Sequence, residues 1–258
     1  WDFETLFEQI SSINRKDYIW DGQWINVLAH TIKSQLTSTP AIQSIVKKAI
    51  IKKLLGWENW FWNENRDINP LEVLVAIEWD EAHVLFNTTG KSLHQRWYRT
   101  HTYEAPIKEN LAAGIISLAT WKYSMPFYDF FCGSGTMVIE AAMIAKNIAP
   151  WMNREFSFED FGWLDKSVLE DAKTEAKDKM MVDKKHTIIW YDINPQAIEI
   201  AQIHAKNAGV GEFIVFEKRD FLEIDKSQMQ DLTFVSNPPY GLRLRWDEEN
   251  LHRYISKF

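Results

Sequence analysis

The chain has 258 residues, 46% of them hydrophobic and 25% charged, and a formal net charge of −7, which is typical of a globular protein and argues against a purely electrostatic nucleic-acid binder. No apolar run approaches the length of a membrane span and no secretory signal is visible, so no membrane is expected as a partner. The single cysteine, Cys132, excludes a disulfide framework and a cysteine-rich zinc site, so we expect no metal, and it fits a cytoplasmic location.

In the first hundred residues the clearest element is a helix over residues 40–55. Thr39 suits the N-cap, Pro40 the first helical position and Gly56 the stop. Its apolar stripe leaves a lysine face with no acid between residues 41 and 55, formed by Lys47, Lys48, Lys52 and Lys53. Spacing alone favours a solvated helix face over a nucleic-acid patch.

Residues 71–89, LEVLVAIEWDEAHVLFNTT, predict two strands around a turn near Asp80. Together with the lysine-rich helix, they predict a small α/β domain over residues 1–100. The order changes after residue 100, so we place a second domain over residues 101–258.

The second part alternates strand, turn and helix. Strands are predicted over 126–130, 186–194, 213–221 and 231–237, and helices over 137–147 and 195–209; residues 148–185 resemble an insertion. This alternation predicts a parallel sheet with helices on both faces, in which ligands bind at the carboxyl ends of the strands.

Those strand ends carry the polar residues. Asp129 and a glycine loop follow the first strand, Asp192 the second, and Asp220 with Phe221 the third. The loop lets a ligand approach the backbone, and Asp192 is the kind of acid that binds a ribose diol. It falls about 60 residues after the loop and no GxGxxG is present, so a nicotinamide cofactor is disfavoured. Asp220 could accept from an adenine amine, or equally cap a turn. A nucleoside without pyrophosphate, S-adenosylmethionine, fits these parts.

The fourth strand ends in Asn237, Pro238, Pro239 and Tyr240. The Asn237 side-chain oxygen and the Pro238 carbonyl can accept hydrogens from a nucleobase amine, which directs the nitrogen lone pair toward a methyl donor. Two prolines hold that carbonyl, and Tyr240 offers a ring for stacking on an extruded base. Asn-Pro is also a common turn opener. Cys132 lies in the glycine loop, so it is a poor candidate nucleophile.

Three stretches resemble motifs of the class I S-adenosylmethionine-dependent methyltransferases of exocyclic amines: DFFCGSGT (129–136), YDINPQAIEIAQIHAKNAG (191–209) and SNPPYGLRL (236–244). The chain resembles more narrowly the bacterial THUMP-domain guanine-N2 methyltransferases of 23S ribosomal RNA. Further matching stretches are 94–116 and 149–161, and residues 32–54 resemble the RNA-binding THUMP module.

The resemblance implies an α/β fold: a Rossmann-like class I methyltransferase domain, incomplete at its C-terminus, preceded by a small, partial THUMP-like domain. It implies an RNA partner, 23S ribosomal RNA, and a catalytic set of Asn237, Pro238, Pro239 and Tyr240. The implied cofactor residues are Asp129, Cys132, Gly133, Ser134, Gly135, Thr136, Asp192, Asn194, Asp220, Phe221, Pro106 and Glu109. The implied RNA contacts are Lys33, Lys47, Lys48, Arg96 and Arg99.

The chain departs from the family at four tryptophans and in length. Trp97, Trp151 and Trp246 stand where glycine is usual, and Trp190 where a small residue is usual. A position with positive φ would not accept tryptophan without strain, so loop geometry is expected to differ there. Only 18 residues follow Tyr240, where the fold ordinarily has three more strands, so we expect a chain cut at both ends. Transfer RNA guanine-N2 or adenine-N6 methylation, and a catalytically silent RNA-binding module, remain alternatives.

Overall fold

The computed structural model describes residues 2–13, 23–55, 64–66, 69–101, 103, 106–161, 164–181, 186–224 and 231–238. They form two compact units. The first contains residues 1–92 and 155–169, and the second residues 93–154 and 170–258. Residues 155–169 therefore belong to the first unit, although they lie in the stretch that the sequence suggested to be an insertion. The functional boundary near residue 100 stays a prediction.

The first unit is a three-stranded sheet covered by two helices. Its elements are α1 (Phe3–Ser12), β1 (Ile25–Ile32), α2 (Thr39–Leu55), β2 (Leu71–Glu78) and β3 (Glu81–Phe86). The strand order is β1-β2-β3, with β1 parallel and β3 antiparallel to β2. The predicted helix and hairpin are confirmed, whereas α1 and β1 were not predicted. One face of the sheet is buried with the helices, and Phe161 completes this core at 1% exposure.

Two local features differ from or refine the sequence reading. The Ile42 N–H donates to the Ser38 carbonyl (3.0 Å), so Ser38 rather than Thr39 caps α2. Gly56 lies outside the described residues. At the hairpin, Trp79 and Asp80 both have positive φ (54° and 61°), as a two-residue turn between antiparallel strands requires.

The second unit is the predicted parallel sheet with its helices. Its elements are α3 (Glu109–Leu118), β4 (Phe127–Asp129), α4 (Thr136–Ala145), β5 (Ile188–Asp192), α6 (Pro195–Asn207), β6 (Ile214–Lys218) and β7 (Thr233–Phe234). The strand order is β6-β5-β4-β7 and every pair is parallel. Helix α5 (Ser167–Asp178) crosses the boundary between the units and was not predicted.

The parallel α/β fold is confirmed, with shorter strands than the sequence indicated. The chain runs from β4 outward to β5 and β6, then returns to place β7 on the other side of β4. The strand order therefore reverses at β4, and such a reversal opens a crevice at the carboxyl ends of the strands. Helix α4 is buried on almost every residue, which fixes the loop before it against the sheet.

Candidate active site

The carboxyl ends of β7, β4 and β5 lie side by side and bring three predicted site residues together. Asp129 ends β4, Asp192 ends β5, and Asn237 follows β7 by three residues. Because β4 lies between β5 and β7, the glycine loop after β4 is flanked by Asp192 on one side and by Asn237 on the other. The parallel sheet thus places the three predicted elements at one edge.

The glycine loop needs its glycines for conformation and for space. Gly133 and Gly135 have φ of 53° and 84°, which disfavour any side chain. A Cβ on Gly135 would lie 2.7 Å from the Cβ of Ala201 in α6, so this glycine allows α4 and α6 to approach. The side chains of Cys132, Ser134 and Thr136 are buried, so the loop offers chiefly its backbone to a ligand.

Asp192 is held in place by backbone donors. Its two carboxylate oxygens accept one bond each, from the Gly133 N–H (2.9 Å) and the Asn194 N–H (2.8 Å). Burial raises the pKa of Asp192, while these N–H groups oppose the rise. Each oxygen keeps a lone pair, so the carboxylate can still accept from a ligand hydroxyl. The next residue, Ile193, is 63% exposed and offers an apolar surface beside the acid.

Asp129 is the most buried acid of the site, at 1% exposure. Its Oδ1 accepts bonds from the Phe131 N–H (3.1 Å) and from the Ser236 hydroxyl. Burial raises its pKa to about 7, in spite of these two bonds. Asp129 is therefore an internal link between the glycine loop and the end of β7. The role in cofactor binding that the resemblance implied stays a prediction.

Asn237 and Pro238 are half-buried and follow β7 directly. The Val235 N–H donates to the Tyr128 carbonyl (3.1 Å), which continues the pairing of β7 with β4 up to the residue before Ser236. Pro239, Tyr240 and Trp246 lie outside the described residues. Ser236, which sequence reasoning missed, could have been suspected as a hydroxyl directly before the amide.

Asp220 and Phe221 lie after β6, and the Asp220 carbonyl accepts from the Glu223 N–H (3.0 Å) in a short 3-10 turn. The Phe221 ring is buried at 2% exposure and packs against Phe130 and Phe131, with ring centroids 5.2 Å apart in both pairs. Its side chain therefore belongs to an aromatic cluster below the crevice. A cofactor contact by either residue stays a prediction.

The segment before α3 is tied to the glycine loop and its helix by buried polar bonds that the sequence did not reveal. Arg96 bonds to both carboxylate oxygens of Glu140 in α4 (3.3 and 3.4 Å), and the Tyr98 hydroxyl donates to the same carboxylate (3.0 Å). Burial raises the pKa of Glu140, and Arg96 opposes the rise. The available signal was an isolated acid in the otherwise apolar helix MVIEAAMIA.

Arg99 is likewise committed inside the unit. Its Nη2 donates to the Thr136 hydroxyl (2.7 Å) and to the Ile107 carbonyl (3.0 Å), and its Nε lies 3.3 Å from the buried Glu109 carboxylate. Glu109 is thus an ion-pair partner of Arg99, while Pro106 is exposed. These contacts disfavour the RNA-contact role that the resemblance implied for Arg96 and Arg99, and they give both arginines a structural task.

The predicted RNA-contact lysines of the first unit differ in their surroundings. Lys47 lies 2.5 Å from the Glu64 carboxylate, an acid distant in sequence, so its charge is partly neutralised. Lys48 is exposed, and Lys33 is exposed with its Nζ 4.1 Å from the centroid of the Trp79 ring. RNA binding by these residues stays a prediction.

The tryptophans cause less strain than the sequence predicted. Neither Trp97 nor Trp151 has positive φ, so no glycine conformation is forced on them. The Trp97 indole donates to the Asn207 carbonyl (3.2 Å). Trp190 is fully buried in β5 beside Phe216, with its indole N–H unpaired. The expectation of strained loops at Trp97 and Trp151 is therefore wrong.

Within the described residues, no group of three or more His, Cys, Asp or Glu side chains could hold a metal ion. Among the described helices, none is both long enough and apolar enough to cross a bilayer.

A parallel sheet in this order, with a glycine loop after its reversal strand and an acid after the neighbouring strand, defines a Rossmann-like class I methyltransferase fold. The chain belongs to the family of RMKL-like methyltransferase domains, whose pattern matches residues 96–257.

Named relatives extend beyond this domain. YpsC of Bacillus subtilis (strain 168), named as a candidate RNA methyltransferase, is 38% identical over 245 residues, which are 94% of this chain and 63% of YpsC. Ribosomal RNA large subunit methyltransferase K/L of Shewanella frigidimarina (strain NCIMB 400) is 40% identical over 176 residues, which are 66% of this chain and 25% of that protein. The chain thus spans less than two thirds of either relative.

Solved structures resemble both units. SMU.472, described as a candidate methyltransferase and complexed with SAH, superposes with a TM-score of 0.87 at 36% identity and covers 99% of this chain and 67% of that one. A protein from Listeria monocytogenes str. 4b F2365, described as a predicted N6-adenine-specific DNA methylase, gives a TM-score of 0.88 at 38% identity over the same shares.

Proposed function

We propose that the protein transfers a methyl group from S-adenosylmethionine to the exocyclic N2 amine of a guanine in ribosomal RNA. The observation that carries this proposal is the placement of Asn237 and Pro238 beside the glycine loop and Asp192, at the strand-order reversal of the sheet. An amide and a fixed carbonyl beside a nucleoside site suit a reaction in which an amine is oriented toward a methyl donor.

The site fits the cofactor on three counts. Gly133, with positive φ, leaves its backbone accessible, and Asp192 keeps acceptor capacity for two ribose hydroxyls. Ile193 offers an exposed apolar surface beside Asp192 for a purine ring. SMU.472 binds SAH, which is the cofactor after loss of its methyl group. We propose that residues 129–136 hold the methionine part, Asp192 and Asn194 the ribose, and Asp220 the adenine.

When bound, the cofactor supplies an electrophilic methyl group on sulfur. The Asn237 side-chain oxygen and the Pro238 carbonyl would each accept one hydrogen of the target amine. Those two bonds withdraw the lone pair from the ring and orient it, so the residues act through position and electrostatics. Pro239 and Tyr240 are proposed to fix the carbonyl and to stack on the base.

We propose that the first unit is a THUMP-like RNA-binding domain, with the exposed Lys33 and Lys48 among its contacts. Support comes from the Shewanella relative, which is named as a ribosomal RNA methyltransferase, and from the YpsC name. Location in the cytoplasm also stays a prediction.

A second candidate is adenine-N6 methylation, because the Listeria structure carries that description and the same amide and proline would orient an N6 amine. Transfer RNA as substrate and a silent RNA-binding module are the remaining candidates.

Nucleoside mass spectrometry of ribosomal and transfer RNA from a strain without the gene, and from the same strain after complementation, tests the proposal. Loss of one N2-methylguanosine from 23S ribosomal RNA is expected, with recovery on complementation. Loss of N6-methyladenosine, or loss confined to transfer RNA, would select the corresponding alternative. An unchanged set of nucleosides, together with no heat on titration of the protein with S-adenosylmethionine, would favour the silent module.

A further inference from the structure

Tyr103 lies across the crevice between the glycine loop and the end of β5. Its ring atom Cε1 is 3.4 Å, and Cδ1 3.6 Å, from the point where a Cβ on Gly133 would stand. Its hydroxyl accepts a hydrogen bond from the Asn194 side-chain Nδ2 (3.1 Å). One side chain therefore bridges the loop after β4 and the cap of α6, the two elements that flank the proposed cofactor.

The backbone just before Tyr103 is held in this position by α6. The ring of His204, fully buried in α6, bonds through Nδ1 to the Ser134 carbonyl (3.1 Å) and accepts at Nε2 from the His101 N–H (3.2 Å). Asn207 donates to the Tyr98 carbonyl (3.2 Å) and to the Thr100 hydroxyl (3.1 Å). The segment leading to Tyr103 thus follows the glycine loop through buried polar bonds.

The state of His204 agrees with this geometry. Burial lowers its pKa, so the neutral ring is favoured. A neutral ring with its proton on Nδ1 donates to Ser134 and still accepts from His101, which satisfies both partners. The position of the Tyr103 segment is therefore specified by α6 as well as by the contact with Gly133.

We infer that Tyr103 is a direct cofactor contact that closes one side of the site. A ligand that reaches both the backbone at Gly133 and the carboxylate of Asp192 must pass along the Tyr103 ring, because the ring spans the interval between these groups. The ring then offers an apolar wall to the methionine and ribose parts, while the hydroxyl keeps Asn194 oriented. This inference rests on the proposed cofactor and extends it to a residue that neither spacing nor motif indicated.

Cofactor titrations separate the ring from the hydroxyl. We expect Tyr103→Ala to weaken binding of S-adenosylmethionine and of S-adenosylhomocysteine by roughly tenfold, because burial of an aromatic wall contributes on the order of 1–2 kcal/mol. Tyr103→Phe should weaken binding only a few-fold. Tyr123→Ala is the matched control, since Tyr123 packs on Trp121 and His186 before β4, at the amino end of the sheet, and should bind as the parent does.

A double-mutant cycle tests the link to Asn194. Asn194→Ser keeps a capping oxygen for α6 but removes the donor to Tyr103. Combined with Tyr103→Phe, it should weaken cofactor binding no more than the larger single effect, because both changes remove one hydrogen bond. Additive losses would contradict the bridge.

The outcomes of these titrations are distinct. If the parent binds and folded Tyr103→Ala binds equally or more tightly, Tyr103 is no cofactor contact and only this inference falls. If the parent protein itself binds neither compound, the proposed cofactor and the inference fall together. Circular dichroism melting of each variant establishes that it is folded at the temperature of the titration.

Discussion

The Ser236 hydroxyl donates a hydrogen bond to the buried Oδ1 of Asp129, and so joins the residue before Asn237 to the strand that carries the glycine loop. The same oxygen accepts from the Phe131 N–H at 3.1 Å. One carboxyl group therefore fixes the proposed base-binding side of the crevice relative to the proposed cofactor side. Its position explains why the amide follows a strand that pairs directly with β4.

The Asp129 carboxyl should make stability depend on pH. Its folded pKa, about 7, lies above the ordinary value of 3.8, so the folded state holds the proton more tightly than the unfolded chain does. Stability from this group is present at low pH, and falls as pH rises from about 4 to 7, by at most about 1.4 kcal/mol per pH unit. We expect Asp129→Asn, which keeps the acceptor oxygen, to be more stable relative to the parent at pH 8 than at pH 5.

Urea unfolding of parent and Asp129→Asn at both pH values measures this difference. Ser236→Ala removes a bond that favours the charged carboxyl, and so should enlarge the loss at pH 8. A parent-to-variant difference that is the same at pH 5 and pH 8 would show that Asp129 is already charged at the lower pH.

Two glycines predict opposite effects of the same substitution. Gly135→Ala should destabilise by about 1–3 kcal/mol, because φ is 84° and the new Cβ would lie 2.7 Å from that of Ala201. Gly114→Ala, in the middle of α3 with no atom within 4 Å of the new Cβ, should stabilise by about 0.5–1 kcal/mol. Denaturant midpoints compare the two, and destabilisation of Gly114→Ala to the same extent would invalidate the argument from space.

The Arg96–Glu140 pair should matter for stability rather than for RNA. Arg96→Ala leaves the Glu140 carboxyl buried at 2% exposure with only Tyr98 as a partner, and a loss of about 3–5 kcal/mol is typical of a broken buried pair. Glu140→Gln, which retains an acceptor for Tyr98, should cost less. Urea unfolding and RNA affinity are measured together. A stable Arg96→Ala protein with greatly weakened RNA binding would restore the predicted RNA contact.

These contacts also show what the sequence could and could not predict. Asp192, Asn237 and the glycine loop were predictable because each follows a short apolar strand, and parallel strands end at one edge. The bond between Tyr98 and Glu140 joins residues 42 positions apart, with no periodicity in the segment between Leu93 and α3 to signal it. Tyr103 belongs to the same segment, and its role depends on long-range bonds from α6. Local patterns carry no information about such bonds.

The lysines of α2 should contribute unequally to RNA binding. Lys48→Glu and Lys53→Glu change exposed side chains, and each should weaken binding and reduce the salt dependence by roughly 0.7–0.9 per lost phosphate contact. Lys47→Glu should have a mixed origin, because it also places two acids together at Glu64. Lys177→Glu on α5 is an exposed control with the same change in net charge. An equal effect from Lys177→Glu would reduce the lysine effect to overall charge.

The last prediction concerns Asn237. If its side chain accepts a hydrogen from the target amine, it stabilises the transition state and leaves cofactor binding alone. Asn237→Ala in the full-length protein should then bind S-adenosylmethionine and RNA almost as the parent does, while methyl transfer falls by roughly a hundredfold or more. Asn237→Asp keeps an acceptor oxygen and should retain more activity than Asn237→Ala. The exposed Asn153 provides a matched control, and Asn153→Ala should leave the rate unchanged.

Single-turnover methylation on folded protein saturated with cofactor isolates the chemical step from binding. A turn-forming role for Asn237 makes a different prediction, because Asn237→Ala would then lower the unfolding midpoint while each folded molecule kept its activity. The two roles therefore separate when the rate is normalised to the folded fraction. A normalised rate within a few-fold of the parent would remove Asn237 from the mechanism, and would leave the residues after β7 as a turn that Ser236 anchors to Asp129.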